Sequence, residues 1–200
     1  MQDFGVITVK NTAKMNIIVA ITGASGAIYA RQVLELLIAS PTVERIALIK
    51  SHHAADVLRA EGVELPSDKR IVEYDNEDMW SSVASGSAAW DAMIIVPASM
   101  GCVARIATGV SRTLIERAAD VMLKERRRLI LVVREAPYSL IHLRNMVSVT
   151  EAGAIVIPAS PAFYLGADTI ENLCLNLSQR IVEMTGIATP HQRWGESADK

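Results

Sequence analysis

The sequence has few cysteines and few aromatic residues, and it has little net charge. Its two cysteines lie far apart, outside any CxxC motif or Cys/His ligand spacing, which argues against a disulfide framework or a structural zinc site. Only 4% of residues are aromatic, so a stacking platform for nucleic acid is not expected. A net charge of −2 gives no general field that would attract nucleic acid or an anionic membrane. These features are typical of a protein of the reducing cytoplasm.

Long apolar runs are also lacking. The longest uncharged stretches, near 15–30 and 152–167, contain Gly or Pro and are shorter than the roughly 20 apolar residues of a membrane span. The first 14 residues have no signal-peptide core. With 200 residues, 50% of them hydrophobic, the chain can bury one sizeable core. We expect a flexible extension over 1–14, one domain over 15–195 and a polar tail over 196–200.

Apolar runs rich in β-branched residues alternate with segments of helical periodicity. Because these runs are continuous and do not alternate with polar residues, they indicate strands buried on both faces of a sheet. The pattern predicts a single doubly wound α/β domain with a mostly parallel sheet, Rossmann-like or flavodoxin-like. The stretch 61–87 is polar and is predicted to be a long connection. The predicted strands are 16–22, 45–49, 92–96, 129–133 and 154–157, and helices are predicted at 25–38, from about 52, from about 99, and at 112–124, 139–151 and 169–185.

In such folds, ligands bind where the strands end and the following helices begin. The first of these turns is Gly-Ala-Ser-Gly at 23–26, whose small residues suit a phosphate or a flavin, with Ser25 as helix cap and hydrogen-bond donor. A plain strand-to-helix turn is the alternative. The turn is not GxGxxG, and the second strand ends in Lys50 and Ser51, where an NAD site would need an acidic residue. NAD is therefore disfavoured. A short-chain dehydrogenase, which TGASG also suggests, needs a Tyr followed four residues later by Lys, and none is present.

A second small-residue turn, 97–102, follows another predicted strand. It supplies Ser99 and could hold a further part of the same ligand, although a proline-ended strand before a capped helix is the simpler alternative. Cys102 is disfavoured as a nucleophile because no histidine is near it in sequence. The four histidines show no metal-ligand spacing and are interpreted as surface or packing residues.

Positive charge is concentrated in one segment. Residues 105–144 contain nine Lys or Arg against four acids, in a chain that is slightly acidic overall. Part of this charge is predicted to be structural, with Asp120 and Lys124 paired on one helix. Arg134 differs because it follows a predicted strand at the ligand edge. With Glu135 beside it, this position suits phosphate binding and proton transfer, or a structural ion pair.

The loop at 158–164 carries two aromatic rings in an aromatic-poor chain, and it is either a lid over an apolar pocket or a rigid connection packed on a helix. Taken together, several segments resemble the UbiX/Pad-type flavin prenyltransferases over about 15–194. These segments are TGASGAIYA at 22–30, PASMG at 97–101, ERAADVMLKERR at 116–127, LVVREAP at 131–137, PASPAFY at 158–164 and the helix containing Arg180.

The resemblance implies a homo-oligomer, with a dodecamer among the expected assemblies, that binds FMN. It also implies transfer of a dimethylallyl group from dimethylallyl phosphate to N5 and then C6 of reduced FMN. The product would serve UbiD-type decarboxylases. The sequence contains no aspartate-rich magnesium motif such as DDxxD, so we expect no metal. The donor could be the monophosphate or the diphosphate.

The resemblance also assigns roles to individual residues. Glu135, Ser25 and Lys124 would be catalytic, and Tyr164 and Arg180 would come from a neighbouring subunit. Cys102 stands where the family often has threonine, which puts one hydroxyl contact to the flavin in question. The positions matching FMN contacts are Gly23, Ala24, Ser25, Ser51, Ser99, Met100, Gly101, Cys102 and Arg134, and those matching the prenyl phosphate site are Lys124, Glu135, Tyr164, Arg180 and, less closely, Arg117.

Two other functions remain open on the sequence alone. The first is a flavin-dependent cysteine decarboxylase of the phosphopantothenoylcysteine type, which shares the PAS motif. That enzyme would need a PASANT-like segment, from which 100–102 departs, and an active-site histidine. The second is an accessory flavin carrier of a phenolic-acid decarboxylase, without chemistry of its own.

Overall fold

A computed structural model describes residues 14–190, so most of the predicted extension and the whole predicted tail lie outside the described residues. The strands are β1 Met15–Ile21, β2 Val43–Lys50, β3 Ile71–Tyr74, β4 Ala92–Ala98, β5 Arg128–Val133 and β6 Ile155–Pro158. The helices are α1 Ala27–Ala39, α2 Ala54–Ala60, α3 Met100–Ala107, α4 Leu114–Lys124, α5 Leu140–Glu151 and α6 Ile170–Glu183, with short 3₁₀ turns at Ser82–Ala84 and Phe163–Leu165.

The six strands form one parallel sheet in the order β3-β2-β1-β4-β5-β6. The chain winds outward from β1 in one direction and, after β3, crosses back to β4 and winds in the other. The predicted doubly wound fold is therefore confirmed. The reversal leaves a crevice between the carboxyl ends of β1 and β4, the usual place for a ligand in this architecture.

Both faces of the sheet are buried, as the continuous apolar strands predict. In β1, Ile17, Val19 and Ile21 belong to the core beneath α1 and α6. Ile18 and Ala20, which point the opposite way, belong to the core beneath α3 and α4. The central strands are therefore covered on both faces and provide a rigid support for the loops at their ends.

The sequence prediction is wrong in one part of 61–87. This polar stretch contains β3, an edge strand paired with β2 through Ile46 and Ile71. The strand is only partly buried, and Glu73 forms an ion pair with Lys50 at 2.8 Å. Its polar, half-exposed sequence lacks the apolar run that identifies the central strands.

One helix face is apolar but uncovered. Leu140, Ile141, Leu143 and Val147 of α5 are 46–68% exposed, and a cavity of about 420 Å³ lies between α5 and β6. A contiguous apolar patch of this kind marks an interaction surface. Among the described residues, no helix has both the length and the apolar content required to cross a bilayer.

Candidate functional site

The β1 and β4 ends are tied together at the crevice. The Thr22 hydroxyl donates to the Pro97 carbonyl at 2.7 Å and accepts from the Ser99 N–H at 2.8 Å. Thr22 is 97% buried, so these bonds are shielded from competing water. The Ser51 N–H donates to the Ile21 carbonyl at 2.9 Å, which brings the end of β2 to the same place. The two predicted small-residue turns thus lie side by side.

The crevice has a volume of about 310 Å³, within the range of small-molecule sites. Gly23 lies on its wall, where an added Cβ would come within 2.8 Å of the His53 Cβ, so this turn requires glycine. His52 and His53 precede α2 and line the crevice at the predicted ligand edge, although the sequence analysis interpreted them as surface or packing residues. The lining is Thr22, Gly23, Ser51, His52, His53, Asn76, Glu77, Ser99, Cys102, Arg105, Thr113, Ile115 and Glu116.

The start of α1 differs from the prediction. The N-cap is Gly26, with φ +109°, and Ser25 does not cap the helix. Instead, the Glu61 carboxylate accepts from the Gly26 N–H at 2.9 Å and from the Ala27 N–H at 2.7 Å. A carboxylate is favoured there because the unpaired N–H groups and the helix dipole are positive. Ser25 is left exposed beside Glu61.

Glu61, Ser25 and Arg134 form one cluster. Arg134 follows β5, as predicted, and its Nε donates to the Ser25 carbonyl at 3.3 Å. Burial raises the pKa of Glu61, but hydrogen bonds from Ser25, Gly26 and Ala27 and the charge of Arg134 outweigh burial and lower the pKa overall. Glu135 is half-buried next to Arg134, and its carboxylate accepts from the Ala136 N–H at 3.1 Å. The cluster thus brings a carboxylate, a hydroxyl and a guanidinium together at the turn 23–26, with Glu135 next in sequence to Arg134. It lies beside the crevice and outside the described residues that line it.

One end of the crevice is built on α3 and α4. Ser99 caps α3 by accepting from the Cys102 N–H at 3.4 Å. Burial raises the pKa of the Cys102 thiol to about 12, so the thiol is neutral and a poor nucleophile. Arg105 donates through Nε to Glu116, whose side chain is 98% buried.

A larger cavity, about 540 Å³, lies beside the start of α1. It is bordered by Glu61, Arg31 and Glu171, among others, and Arg31 pairs with Glu171 at 2.5 Å. The two small-residue turns do not reach it. It therefore adjoins the Glu61 cluster and is separate from the crevice between β1 and β4.

Two of the predicted phosphate-binding cations lie elsewhere. Lys124 ends α4 shortly before β5 begins, at the edge where strands start. Arg180 is one turn from the end of α6, and Met184 just beyond accepts a hydrogen bond from Arg128, the first residue of β5. Lys124 and Arg180 are thus at the opposite edge of the sheet from Arg134 and Glu135.

The predicted pair of Asp120 and Lys124 is wrong. Asp120 accepts from Arg117 at 2.6 Å, and Lys124 pairs with Glu125. The Asp120–Arg117 spacing of three residues also fits one helix face, so sequence spacing alone could not choose the partner. Arg117 is fixed further by donating from Nε to the Ala84 carbonyl at 3.1 Å.

Tyr164 follows β6 at the carboxyl edge. Phe163 is 76% exposed and Tyr164 65% exposed, so neither ring belongs to the buried core.

Glu61 and Arg105 are among the residues at or beside the crevice that were not predicted. Glu61 is 35 residues from the N–H it caps, in the stretch interpreted as a connection. Arg105 was counted only as part of the positive segment. For Arg105, the eleven-residue separation from Glu116 matches no helical spacing that would signal a pair.

The comparisons with known proteins agree with one another, because each of them matches this chain to flavoproteins. The family profile described as Flavoprotein matches residues 6–184. The flavin prenyltransferase UbiX of Methanocaldococcus jannaschii is 40% identical over 185 residues, covering 90% of this chain and 99% of the relative. The crystal structure of AnUbiX (PadA1) in complex with FMN and dimethylallyl pyrophosphate is 41% identical, with TM-score 0.80, covering 90% of this chain and 99% of the other. A dodecameric FMN-dependent UbiX-like decarboxylase from Escherichia coli O157:H7 is 34% identical, with TM-score 0.82, covering 90% and 99% respectively.

Proposed function

Because this chain belongs to the UbiX-type flavin prenyltransferase family, we propose that it transfers a dimethylallyl group from dimethylallyl phosphate to reduced FMN. The prenylated flavin would then serve a UbiD-type decarboxylase. The observation that carries this proposal is the crevice between β1 and β4, with the cluster of Ser25, Glu61 and Arg134 beside it at the same edge of the sheet. The 41% identical AnUbiX, solved with FMN and dimethylallyl pyrophosphate, supports the same ligand classes.

The residues of the crevice fit a flavin mononucleotide. Ser51 and Ser99 offer hydroxyl donors of the kind a ribityl phosphate chain needs, and Gly23 allows its backbone to come close to a ligand. Arg134, at the mouth, would contact the flavin from the β5 side. Gly23, Ala24, Ser25, Ser51, Ser99, Met100, Gly101, Cys102 and Arg134 are the proposed FMN contacts.

When bound, reduced FMN would supply the nucleophilic N5 and the neighbouring C6 to which the five-carbon group becomes attached. The transfer would exchange the carbon–oxygen bond of the donor for bonds to these two flavin atoms, with inorganic phosphate released. Of the two protons that N5 and C6 would lose, one would be taken up at the double bond of the five-carbon group. Glu135 would accept the other, and Ser25, hydrogen-bonded to Glu61, would pass protons between the crevice and that carboxylate.

Negative charge would develop on the phosphate as it leaves the donor, and positively charged side chains would stabilise it. Lys124 and Arg180 would stabilise it as fixed cations, with Tyr164 as a hydroxyl donor and Arg117 as a further contact. Since Lys124 and Arg180 lie at the opposite edge of the sheet from Glu135, they would reach this site from another copy of the chain. We propose that no metal ion takes part.

In an assembly of several copies, exposed apolar side chains would form the contacts between subunits. The apolar face of α5, with Leu140, Ile141 and Val147, and the exposed Phe163 and Tyr164 would be covered by neighbouring subunits in a homo-oligomer. The dodecameric relative at 34% identity supports this arrangement.

The direct test is anaerobic incubation of the protein with reduced FMN and dimethylallyl phosphate, followed by mass spectrometry of the flavin. A mass gain of one prenyl unit, unchanged by a chelator, is expected. Parallel reactions with oxidised FMN should give no product. Flavin binding without any mass gain, with either the monophosphate or the diphosphate donor, would favour a carrier over an enzyme. Addition of the product to a UbiD-type apo-decarboxylase should restore decarboxylation.

A further inference from the structure

We propose that Arg105, held in place by the buried Glu116, is the side chain that binds the phosphate group of FMN. This inference rests on the proposed function and adds to it the direction in which FMN lies. The phosphate would occupy the α3–α4 end of the crevice, and the flavin ring would lie toward Ser25 and Arg134. None of the motifs that carry the family resemblance assigns a role to Arg105.

The first step of the argument is that the start of α1 is not available to a phosphate. A helix N-terminus after the first strand would be the ordinary place for one. Here the Glu61 carboxylate already accepts from the N–H groups of Gly26 and Ala27. A phosphate at that position would have to displace a carboxylate whose ionised form the surroundings favour, or lie beside a like charge.

The second step is the charge of the crevice. Among the described residues that line it, Arg105 is the one Lys or Arg, against Glu77 and Glu116. The Glu116 carboxylate is not compensated by Arg105 alone, because two backbone N–H groups also stabilise it. The Glu116 carboxylate accepts hydrogen bonds from Arg105 Nε, from the Arg112 N–H at 2.8 Å and from the Thr113 N–H at 3.1 Å.

The third step is the orientation of Arg105. Its Nε is used by Glu116, and within residues 14–190 no other hydrogen bond from Arg105 is found, so both terminal nitrogens can bind a ligand. The side chain is 46% exposed, although its partner Glu116 is buried. A guanidinium fixed at one nitrogen loses less rotamer freedom when it binds phosphate with the other two. Glu116 is therefore a positioning residue.

The groups around Arg105 suit an anion. Ser51 and Ser99 line the same crevice and can donate through their hydroxyls, while the adjacent Cys102 thiol is neutral because burial raises its pKa. Thr22, by contrast, is already used in tying β1 to β4. One guanidinium and two hydroxyls thus form a phosphate site.

The test compares FMN with riboflavin, which has the same ring and ribityl chain but lacks the phosphate. The two ligands are titrated into the wild-type protein, Arg105→Gln and Arg105→Gln/Glu116→Gln, with binding followed by calorimetry. The double variant removes both charges together, so it does not leave Glu116 buried without its partner. Arg59→Gln is the matched control, since the Arg59 side chain is 78% exposed and pairs with Asp56. Thermal melts check that each variant is folded.

We expect wild type and Arg59→Gln to prefer FMN over riboflavin. In both Arg105 variants the FMN affinity should fall by roughly 10- to 100-fold, as for loss of a hydrogen bond to a charged group, while riboflavin affinity stays nearly constant. If both folded variants keep the wild-type preference for FMN, the assignment of Arg105 is wrong. The proposed function would still stand in that case, provided that the wild-type protein carries out prenyl transfer. A wild-type protein that binds neither flavin contradicts both proposals.

Discussion

The two edges of the sheet are built in different ways. At the carboxyl edge, Thr22, Ser99 and Glu61 are fixed by hydrogen bonds between residues 35 to 77 positions apart. At the opposite edge, Lys124 and Arg180 pair with acids one and three positions away. The two cations are about half-exposed, and local pairs of this kind contribute little stability, so each cation can exchange its partner for another anion. This difference fits the proposal that the crevice of one chain would bind the flavin, while Lys124 and Arg180 would serve the site of a neighbouring copy.

The largest expected effect concerns the carboxyl edge. Glu135→Gln should reduce the rate of prenyl transfer by roughly 10²- to 10⁴-fold, because a positioned proton acceptor is lost. Flavin binding should be retained, since Glu135 is proposed to act in chemistry and not in holding the ring. Single-turnover assays with mass detection measure the rate, and Glu35→Gln on the exposed face of α1 is the control. A wild-type rate in Glu135→Gln would remove Glu135 from the mechanism.

Lys124→Gln probes the opposite edge. The rate should fall by roughly 100-fold, the usual effect of losing one group that stabilises developing negative charge. FMN affinity should not change, because Lys124 lies far from the crevice of its own chain. Lys69→Gln, also an exposed lysine, serves as the matched variant. Loss of FMN binding together with activity would show that the two edges do not have separate roles.

Glu61→Gln tests the capping of α1 through pH dependence. The pKa of Glu61 is lowered in the folded protein, so its stabilising contribution is present above the ordinary carboxyl pKa and is lost as pH falls through the lowered value. Near neutral pH the variant should be less stable by about 1 kcal/mol, as for loss of a helix cap. Denaturant unfolding should show this gap closing below about pH 4. Glu64→Gln is the control, and a gap that is constant with pH would contradict the assignment.

The smallest effect is expected for Cys102→Ser. Because the thiol is buried and neutral, its replacement by a hydroxyl of similar shape should change the transfer rate by less than about threefold. Thiol reagents should label Cys102 of the folded wild type slowly. Rapid labelling that abolishes transfer would instead indicate a reactive cysteine in the crevice.

Much of the fold could be predicted because its central strands are apolar on both faces. The continuous runs that became β1, β4 and β5 were predicted at nearly their observed positions. The strand β3 could not be predicted in this way, because Glu73 and Tyr74 at the sheet edge face solvent in part. The apolar run that marks a buried strand is then absent.

The site was predictable where it follows strand ends. Arg134 and the two small-residue turns were located from the strands that precede them. Glu61 and the Arg105–Glu116 pair could not be found in this way. Each depends on tertiary contacts between different elements of the fold, and the spacing of residues in the sequence does not predict such contacts. Local spacing also misassigned Asp120, because Arg117 at three residues and Lys124 at four residues are both geometrically possible partners.

The central claim, that the crevice of one chain works with cations of another, is tested most directly by subunit complementation. Glu135→Gln and Lys124→Gln chains, each nearly inactive alone, are co-expressed with different tags, and the mixed oligomers are purified through both tags and assayed for prenyl transfer. If the residues act across subunits, randomly mixed oligomers should recover about a quarter of the wild-type sites. If Lys124 acts only within its own chain, no site combines both functional residues, and the mixed oligomers will be as inactive as either variant alone.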